Sequence, residues 1–371
     1  MQKIGRYCDI NDSQEFKDLR YGMDFRKPKY RREVFLRFYE FHLKYNAHPG
    51  AVYYTFPYLF RELKMTQEQK YWFTFINGLS QNVVSTYLIF LKFPDLEKID
   101  TRELSDFFRK NYTKFGWDVD RRYVKNKFEE AVECYVDLLQ GRTQVDYFES
   151  LANTENVHHN FKRVWDAVIN NFFLFGRLAT FSYLEYLRLA GLKIDCDSLF
   201  LNDIGGSKSH RNGLCKVMGR DDLDWYKENV VTYDDEMIAW LTNEADQLLA
   251  DAKAKIDPLY QEHISFFTLE STLCCYKSWH RPNRRYPNVY NDMFADRIKS
   301  AELKWGSREL FKPFWDARKE YLPKGLRVED NPRDMGVNKV KQNHYRKTGQ
   351  VIMMDEDYPC FGNELNDYIR C

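Results

Sequence analysis

Apolar side chains recur at helical spacing along most of this chain, and this pattern limits the fold more than any other feature. In residues 31–46, Val34, Phe38 and Phe41 are separated by four and then three positions, as on the buried face of an amphipathic helix. The same spacing returns in seven later segments: residues 67–93, 120–139, 157–173, 181–192, 234–255, 264–279 and 288–319. Residues 350–354 are the best candidate for a short strand. We therefore predict a mainly α fold with few or no strands.

Length and composition suggest how the helices are organised. The chain has 371 residues, enough for one large domain or two of ordinary size. Residues 1–30 are polar and irregular, the helical segments fill residues 31–322, and residues 323–371 are rich in glycine, proline and asparagine. We predict an N-terminal extension, one helical domain and an irregular C-terminal extension packed on it. Aromatic residues make up 17% of the chain, which suits a well-filled core and also a site that stacks planar ligands.

Charge and cysteine usage exclude several classes of protein. The net charge is +1, so a surface that binds nucleic acid must concentrate its positive charge locally. We find no apolar run of about 18 residues and no signal-peptide pattern, so we expect an intracellular chain without a membrane partner. The eight cysteines include no CxxC pair, which favours reduced thiols over zinc or iron–sulfur ligands. We predict no metal ligands.

The stretch from Asp203 to Gly213 holds polar chemistry that packing does not explain. It carries two hydroxyls, an ammonium, an imidazole and a guanidinium on a turn that contains Gly205 and Gly206. Glycine permits positive φ angles and lets backbone N–H groups approach an anion closely. The stretch lacks the first glycine and the preceding strand of a P-loop, which excludes a P-loop kinase. The imidazole of His210 suits proton transfer, whereas Asp203 is either a base or a helix N-cap.

Other polar positions interrupt apolar helical segments. Residues 77–82 place amides and a hydroxyl beside a glycine, which indicates either a break between helices with capping side chains or the polar wall of a pocket. Arg177 lies at a helix break, where it either caps carbonyl groups or binds phosphate through two N–H groups. Glu270 and Lys277 share a helix face, and Glu270 is either part of a buried ion pair or a base.

Two basic runs, residues 26–32 and 280–285, flank prolines. The first is either a solvated helix entry or a contact with phosphate.

Several separated motifs resemble those of one bacteriophage family, in the same order. They are Phe38-Tyr39-Glu40-Phe41-His42 with His48-Pro49-Gly50, Asn77-Gly78 with Gln81-Asn82, Gly176-Arg177-Leu178 with residues 181–187, and residues 205–213. The family is the α-glutamyl/putrescinyl thymine pyrophosphorylases, also called amino acid:DNA transferases. Its helical module also resembles the one attached to 5-hydroxymethyluracil DNA kinases. The resemblance spans residues 31–286.

The resemblance implies a divergent, DNA-glycosylase-like helical fold for the domain and a role in thymidine hypermodification. In such phages 5-hydroxymethyluracil replaces thymine, a kinase converts its hydroxymethyl group to a pyrophosphoryl ester, and a transferase displaces pyrophosphate with an amino acid. Because the chain lacks a Walker motif, it resembles the transferase, with glycine or serine as the expected amino acid. The implied substrate is an extruded modified deoxyuridine in double-stranded DNA. The implied location is the cytoplasm of the infected bacterium.

The same resemblance implies companions and leaves alternatives open. The free amino acid is the co-substrate, Mg²⁺ is a candidate companion of pyrophosphate, and a 5-hydroxymethyluracil DNA kinase is a candidate partner. One alternative is a DNA glycosylase that acts on a modified pyrimidine. Another is a non-catalytic, DNA-binding helical module that accompanies the kinase.

Roles for individual residues follow from the resemblance. The candidate catalytic residues are Asp203, His210 and Glu270. The residues expected to bind pyrophosphate are Arg177, Ser207, Lys208, Ser209 and Arg211. The residues expected to contact the base or the amino acid are Tyr53, Tyr54, Asn77, Gln81, Tyr183 and Asn212. The residues expected to contact the DNA backbone are Lys27, Lys29, Arg31, Lys277, Arg281, Arg284 and Arg285.

Overall fold

The computed structural model describes residues 28–224, 232–279 and 288–330. Within these ranges the regular structure consists of α-helices and short 3₁₀ helices, with no β-strand, which confirms the predicted mainly α fold. The strand candidate at residues 350–354 lies outside the described residues.

Fourteen α-helices lie in the described residues. They are α1 Pro28–Lys44, α2 Val52–Glu62, α3 Gln67–Ser80, α4 Val83–Lys92, α5 Thr101–Lys110, α6 Phe128–Leu139, α7 Gln144–Leu151, α8 Val157–Asn171, α9 Arg177–Leu189, α10 Lys208–Val217, α11 Asp235–Lys255, α12 Phe266–Trp279, α13 Val289–Trp305 and α14 Lys312–Tyr321. The 3₁₀ helices are Pro49–Ala51, Leu96–Lys98, Val119–Lys127, Asp221–Leu223, Pro258–His263, Glu309–Phe311, Lys324–Leu326 and Val328–Asp330.

The chain groups into two compact units. Among the described residues, unit 1 holds 28–49, 198–224, 232–279, 288–296 and 321–330, and unit 2 holds 50–197 and 297–320. The division falls inside α13, between Asp296 and Arg297. The domain boundaries predicted at residues 31 and 322 stay predictions.

Aromatic side chains fill the core of unit 2. The ring of Phe75 on α3 stacks on that of Tyr135 on α6, with centroids 3.8 Å apart. Phe172 and Phe175 also contact both Phe75 and the fully buried Tyr183. Each such side chain removes roughly 150–250 Å² from water. Much of the high aromatic content therefore serves packing.

The break in the apolar pattern of residues 67–93 separates α3 from α4. It falls at Gln81 and Asn82, after the glycine in the sequence, because Gly78 continues α3 and lies against Phe175. Gln81 adopts a left-handed conformation with φ 45° and ends α3. The Asn82 carboxamide oxygen accepts a hydrogen bond from the Ser85 N–H and caps α4. The interpretation of this stretch as a capped break is thus confirmed for Asn82.

In unit 1, α10 and α12 pack at unusually short range. A Cβ atom at Gly213 would lie 2.2 Å from the carbonyl oxygen of Leu273. Helix α1 also contacts α12, where the Tyr39 hydroxyl lies 2.5 Å from that of Thr268. These contacts bring the polar residues that begin α10 next to those of α12.

Candidate active site

The predicted polar loop is in fact a turn followed by a helix, since α10 begins at Lys208. The Asp203 carboxylate accepts a hydrogen bond from the Gly206 N–H, and the Asp203 carbonyl accepts one from the Ser207 N–H. Asp203 therefore stabilises the turn that leads into α10, and the N-cap position belongs to Ser207. Gly205 has no positive φ angle, and the left-handed residue of this region is Phe200, with φ 52°.

His210 and Glu270 form a pair between α10 and α12. His210 Nδ1 lies 2.9 Å from Glu270 Oε1, and the exposed fractions of the two side chains are 2% and 12%. His210 Nε2 lies 2.9 Å from the carbonyl oxygen of Leu199. Because a carbonyl oxygen can only accept, Nε2 must carry a proton. A proton must then also lie between Nδ1 and the Glu270 carboxyl group, since two acceptors would repel.

Both ring nitrogens of His210 are engaged, so this residue is placed to orient Glu270 more than to abstract a proton itself. The two predicted catalytic residues are thus brought together, and Glu270 has His210 as a hydrogen-bonding partner.

Arg211 is fully buried in the first turn of α10. Its Nη1 donates to the Ile204 carbonyl oxygen at 2.8 Å and to Ser207 Oγ at 2.5 Å. Its guanidinium carbon lies 4.2 Å from the centre of the Tyr233 ring. Within the described residues, Nε and Nη2 have no hydrogen-bond partner. Unpaired buried donors on a charged group are unfavourable, and a helix N-terminus favours anions. This place suits an anionic ligand.

Ser209 joins a second polar contact between the same helices. Lys277 Nζ donates to Ser209 Oγ at 2.5 Å, and Ser209 Oγ lies 3.0 Å from Cys274 Sγ. The nearly buried Lys277 therefore faces α10, and its contact with the DNA backbone stays a prediction. A neighbouring thiol is inert, because burial raises the pKa of Cys215 to about 12.

The other predicted members of this cluster differ in exposure. Lys208 is half-buried, and Asn212 is buried on α10.

Four of the residues predicted to contact the base are buried in unit 2. Tyr54 and Tyr183 are fully buried, and the Tyr53 hydroxyl donates to Glu185 Oε1 at 2.7 Å. The buried Asn77 accepts a hydrogen bond from Thr86 Oγ1 at 3.1 Å. These contacts give the side chains structural roles, and their contact with a base stays a prediction.

Gln81 and Arg177, also in unit 2, are less enclosed. The Gln81 carboxamide nitrogen is buried and has no hydrogen-bond partner in the part of the chain that is described. The half-buried Arg177 is the first residue of α9, and its guanidinium carbon lies 5.9 Å from the centre of the Phe181 ring. Arg297, which sequence reasoning missed, donates to the Gln81 carbonyl oxygen and pairs with Asp118. A lone arginine in a helical pattern gives no signal of such a contact.

The residues predicted to contact the DNA backbone have different surroundings. Lys29 is exposed. Arg31 is buried and donates to both carboxylate oxygens of Asp221, at 2.7 and 3.0 Å. Burial would raise the pKa of Asp221, but hydrogen bonds from Arg31 and Lys216 outweigh it and hold that pKa well below its usual value. Contact between Arg31 and DNA stays a prediction. Outside the described residues lie Lys27, Arg281, Arg284 and Arg285.

The described residues contain no group of three or more His, Cys, Asp or Glu side chains that could hold a metal ion. None of their helices is long and apolar enough to cross a membrane.

Comparison with known proteins adds a family. The family model described as amino acid:DNA transferase matches residues 55–285. A serinyltransferase of Salmonella phage ViI is 30% identical over 300 residues, which cover 76% of this chain and 71% of that protein. No solved structure matches the chain.

Proposed function

Because this chain belongs to the amino acid:DNA transferase family, we propose that it transfers serine or glycine to 5-pyrophosphoryloxymethyl-deoxyuridine in DNA. A bond forms between the amino nitrogen and the methylene carbon at C5 of the base, and the bond from that carbon to the ester oxygen breaks. Pyrophosphate leaves with the bonding electrons, and the amino group loses a proton. The name of the Salmonella phage relative, a serinyltransferase, favours serine.

The observation that carries the proposal is the buried guanidinium of Arg211. Its Nε and Nη2 have no partner in the described residues, and it lies in the first turn of α10. Pyrophosphate is a good leaving group once its charge is neutralised, and preorganised donors aimed at developing charge supply such stabilisation. Arg211 would bind the departing group together with the N-terminus of α10, and Lys208 and Ser209 would support it.

Glu270 is the best-placed base for the amino group. A free amino acid carries an ammonium group near neutral pH and must lose a proton before it can attack. Glu270 lies on α12, which packs against α10, the helix that carries Arg211. His210 orients the Glu270 carboxyl group and is itself hydrogen-bonded to the Leu199 carbonyl oxygen. Transfer of the proton to the Glu270 carboxylate would leave the neutral amine to attack.

Mg²⁺ remains part of the proposal as a companion of pyrophosphate. Since the described residues hold no cluster of three metal-binding side chains, the ion would have to be bound mainly by pyrophosphate oxygens and water. A loss of rate on addition of EDTA, restored by Mg²⁺, would support this part.

The proposed substrate must first be produced by another enzyme. An enzyme that pyrophosphorylates the hydroxymethyl group must act on the DNA first, which makes a 5-hydroxymethyluracil DNA kinase the proposed partner in the infected cell. The base would be extruded from the duplex before reaction.

Label transfer tests the reaction. DNA that contains 5-hydroxymethyluracil, treated with the kinase, should acquire labelled serine or glycine and release an equal amount of pyrophosphate. Absence of transfer with every amino acid and polyamine would contradict the proposal, and abasic sites in place of label would indicate a glycosylase.

The Arg211→Lys variant tests the pyrophosphate site. Lysine keeps a positive charge but lacks the Nε and Nη2 donors, so we expect kcat/KM to fall by about 100-fold. Inhibition by added pyrophosphate should weaken in parallel. Arg220→Ala, which removes an exposed arginine paired with Asp222, is the control and should retain activity. Equal inhibition of wild type and Arg211→Lys by pyrophosphate would show that Arg211 does not bind pyrophosphate.

A further inference from the structure

Tyr123 is exposed to a degree that is unusual in this protein. Most aromatic rings fill the core, but Tyr123 and Tyr112 are 68% and 37% exposed. They are the two aromatic side chains of the described residues that are classed as exposed. Tyr123 lies in the 3₁₀ helix Val119–Lys127, where Val119 is also largely exposed.

A buried arginine holds this exposed ring in place. Arg121 is 2% exposed and donates to the Leu79 and Leu174 carbonyl oxygens, at 3.3 and 3.1 Å. Its third contact is a hydrogen bond from Nη1 to the Tyr123 hydroxyl oxygen at 3.2 Å. The tyrosine is thus presented to solvent from a fixed anchor, which lowers the entropy lost when a ligand orders it.

Basic side chains surround the ring. The segment Val119–Lys127 contains four basic residues and one acidic residue, and of these Arg122 and Lys127 are exposed. Lys125 Nζ donates to the Tyr112 and Phe115 carbonyl oxygens at 2.5 and 2.7 Å. Burial, and then the charge of Lys304, lowers the pKa of Lys125.

Two of the nearby carboxylates are already paired, since Asp118 pairs with Arg297 and Glu129 pairs with Arg109. The exposed Asp120 is the one acidic residue of the segment, against its four basic residues. With a net charge of +1 for the whole chain, this local excess of positive charge marks one surface as suited to a polyanion.

We propose that this surface, composed of Tyr123, Tyr112, Arg122 and Lys127, binds double-stranded DNA. The basic side chains contact backbone phosphates, and the Tyr123 ring stacks against a base of the bound DNA. The proposal rests on the proposed function, because a transferase that acts on DNA requires a surface for the duplex. An acidic protein would need the charges but would give no role to the fixed, exposed ring.

Tyr123→Ala and Tyr123→Phe separate stacking from the hydrogen bond. We expect Tyr123→Ala to reduce kcat/KM on duplex substrate by about 10- to 100-fold, and Tyr123→Phe to stay within about threefold of wild type, since the ring remains. The affinity for duplex DNA, measured by fluorescence anisotropy, should fall in Tyr123→Ala and stay close to that of wild type in Tyr123→Phe.

Charge reversal tests the phosphate contacts. Arg122→Glu combined with Lys127→Glu should weaken duplex binding and reduce the slope of log K against log salt by about one for each lost contact. Lys319→Glu, an exposed lysine of unit 2 outside this surface, is the matched control. It should bind DNA as wild type does.

The outcomes separate the two proposals. Transfer by wild type, combined with wild-type duplex binding and activity in both Tyr123→Ala and the charge-reversal variant, would overturn this surface and leave the function intact. Weaker binding of an acidic peptide by the charge-reversal variant, with unchanged DNA binding, would overturn it in favour of a protein partner. Absence of transfer by wild type refutes the function itself, and duplex binding that depends on Tyr123 would then still support the surface.

Discussion

The proposed role of Glu270 as a base depends on its contact with His210, which lies on another helix. His210 is held through Nε2 by the Leu199 carbonyl and faces the carboxyl group through Nδ1. A histidine fixed at both nitrogens can hold the orientation and charge of the carboxylate while the carboxylate itself receives a proton. From residue types alone, His210 suited proton transfer best, and Asp203 and Glu270 were further candidates for the base. The contacts distinguish them, because Asp203 serves the turn before α10.

Glu270→Gln should therefore abolish most of the transfer. The amide has the same shape but cannot accept a proton, so we expect kcat to fall by about 100-fold or more, with a smaller change in the KM for the amino acid. Steady-state kinetics with the amino acid and the modified DNA as varied substrates provides the measurement.

Glu262→Gln is the control for this substitution, since the Glu262 side chain is 77% exposed. If Glu270→Gln kept wild-type kcat, the proton would have to be accepted elsewhere.

His42 makes stability depend on pH. Burial lowers the pKa of His42 from 6.5 to about 3, and its two ring nitrogens have no hydrogen-bond partner in the described residues. Between these two values the unfolded chain binds a proton that the folded chain does not, so stability falls as the pH falls. We expect the free energy of unfolding to drop by about 2 kcal/mol from this residue between pH 7 and pH 5. Burial also lowers the pKa of His48, which adds in the same direction.

His42→Phe should remove this contribution. The ring packs against Phe38, Phe41 and Tyr290, so phenylalanine fits the surroundings and leaves no unpaired nitrogen. Urea titrations at pH 5, 6 and 7 should show a flatter dependence for this variant, whereas His159→Asn, at an exposed position, should follow wild type. An unchanged slope in His42→Phe would refute the assignment.

Among the secondary-structure elements, helices were easier to predict than the points where they begin. Amphipathic spacing identified α1, α8 and α11 nearly to their ends, because a buried face imposes its period on the sequence. The stretch 208–213 was expected to be a loop, since its polar residues show no period. It is the start of α10, whose buried side includes His210 and Arg211. Polar residues can be buried when they have hydrogen-bond partners in the core, and the spacing of apolar residues does not reveal them.

Gly213→Ala should separate α10 from α12. Alanine favours a helix by up to about 1 kcal/mol over glycine, but its Cβ atom would lie 2.2 Å from the Leu273 carbonyl oxygen. A clash with backbone is not relieved by rotating a side chain, and overpacking of this kind costs about 1–3 kcal/mol. We therefore expect net destabilisation, measured by thermal unfolding, together with loss of transfer because the contact between His210 and Glu270 is disturbed.

Gly205→Ala is the matched control. The nearest atom to a Cβ atom there, Asp203 Oδ1, is 4.0 Å away, and no positive φ angle opposes the change. Its unfolding temperature should equal that of wild type or exceed it. Wild-type stability in Gly213→Ala would show that the two helices adjust freely.

For the whole molecule, the fold class and the family could be predicted from the sequence, whereas the partners of most site residues could not. Periodicity is a local property, and the family motifs are strings of neighbours. Burial depends on contacts between distant segments, which explains why Arg31 and Lys277 looked like phosphate ligands but pair with Asp221 and Ser209. It also explains why the exposure of Tyr123 could not be predicted, because no sequence pattern distinguishes one exposed aromatic residue from the many buried ones.

The narrow space at Gly213 has a consequence for how such proteins diverge. A single base change in the glycine codon that installs a side chain would displace the backbone beneath the proposed base, so selection should remove it as long as the reaction matters. Descendants that carry a larger residue there must have shifted the paired helix as well. In uncharacterised phage genomes, the residue at this position could therefore indicate which related genes have kept the ancestral reaction and which have acquired another.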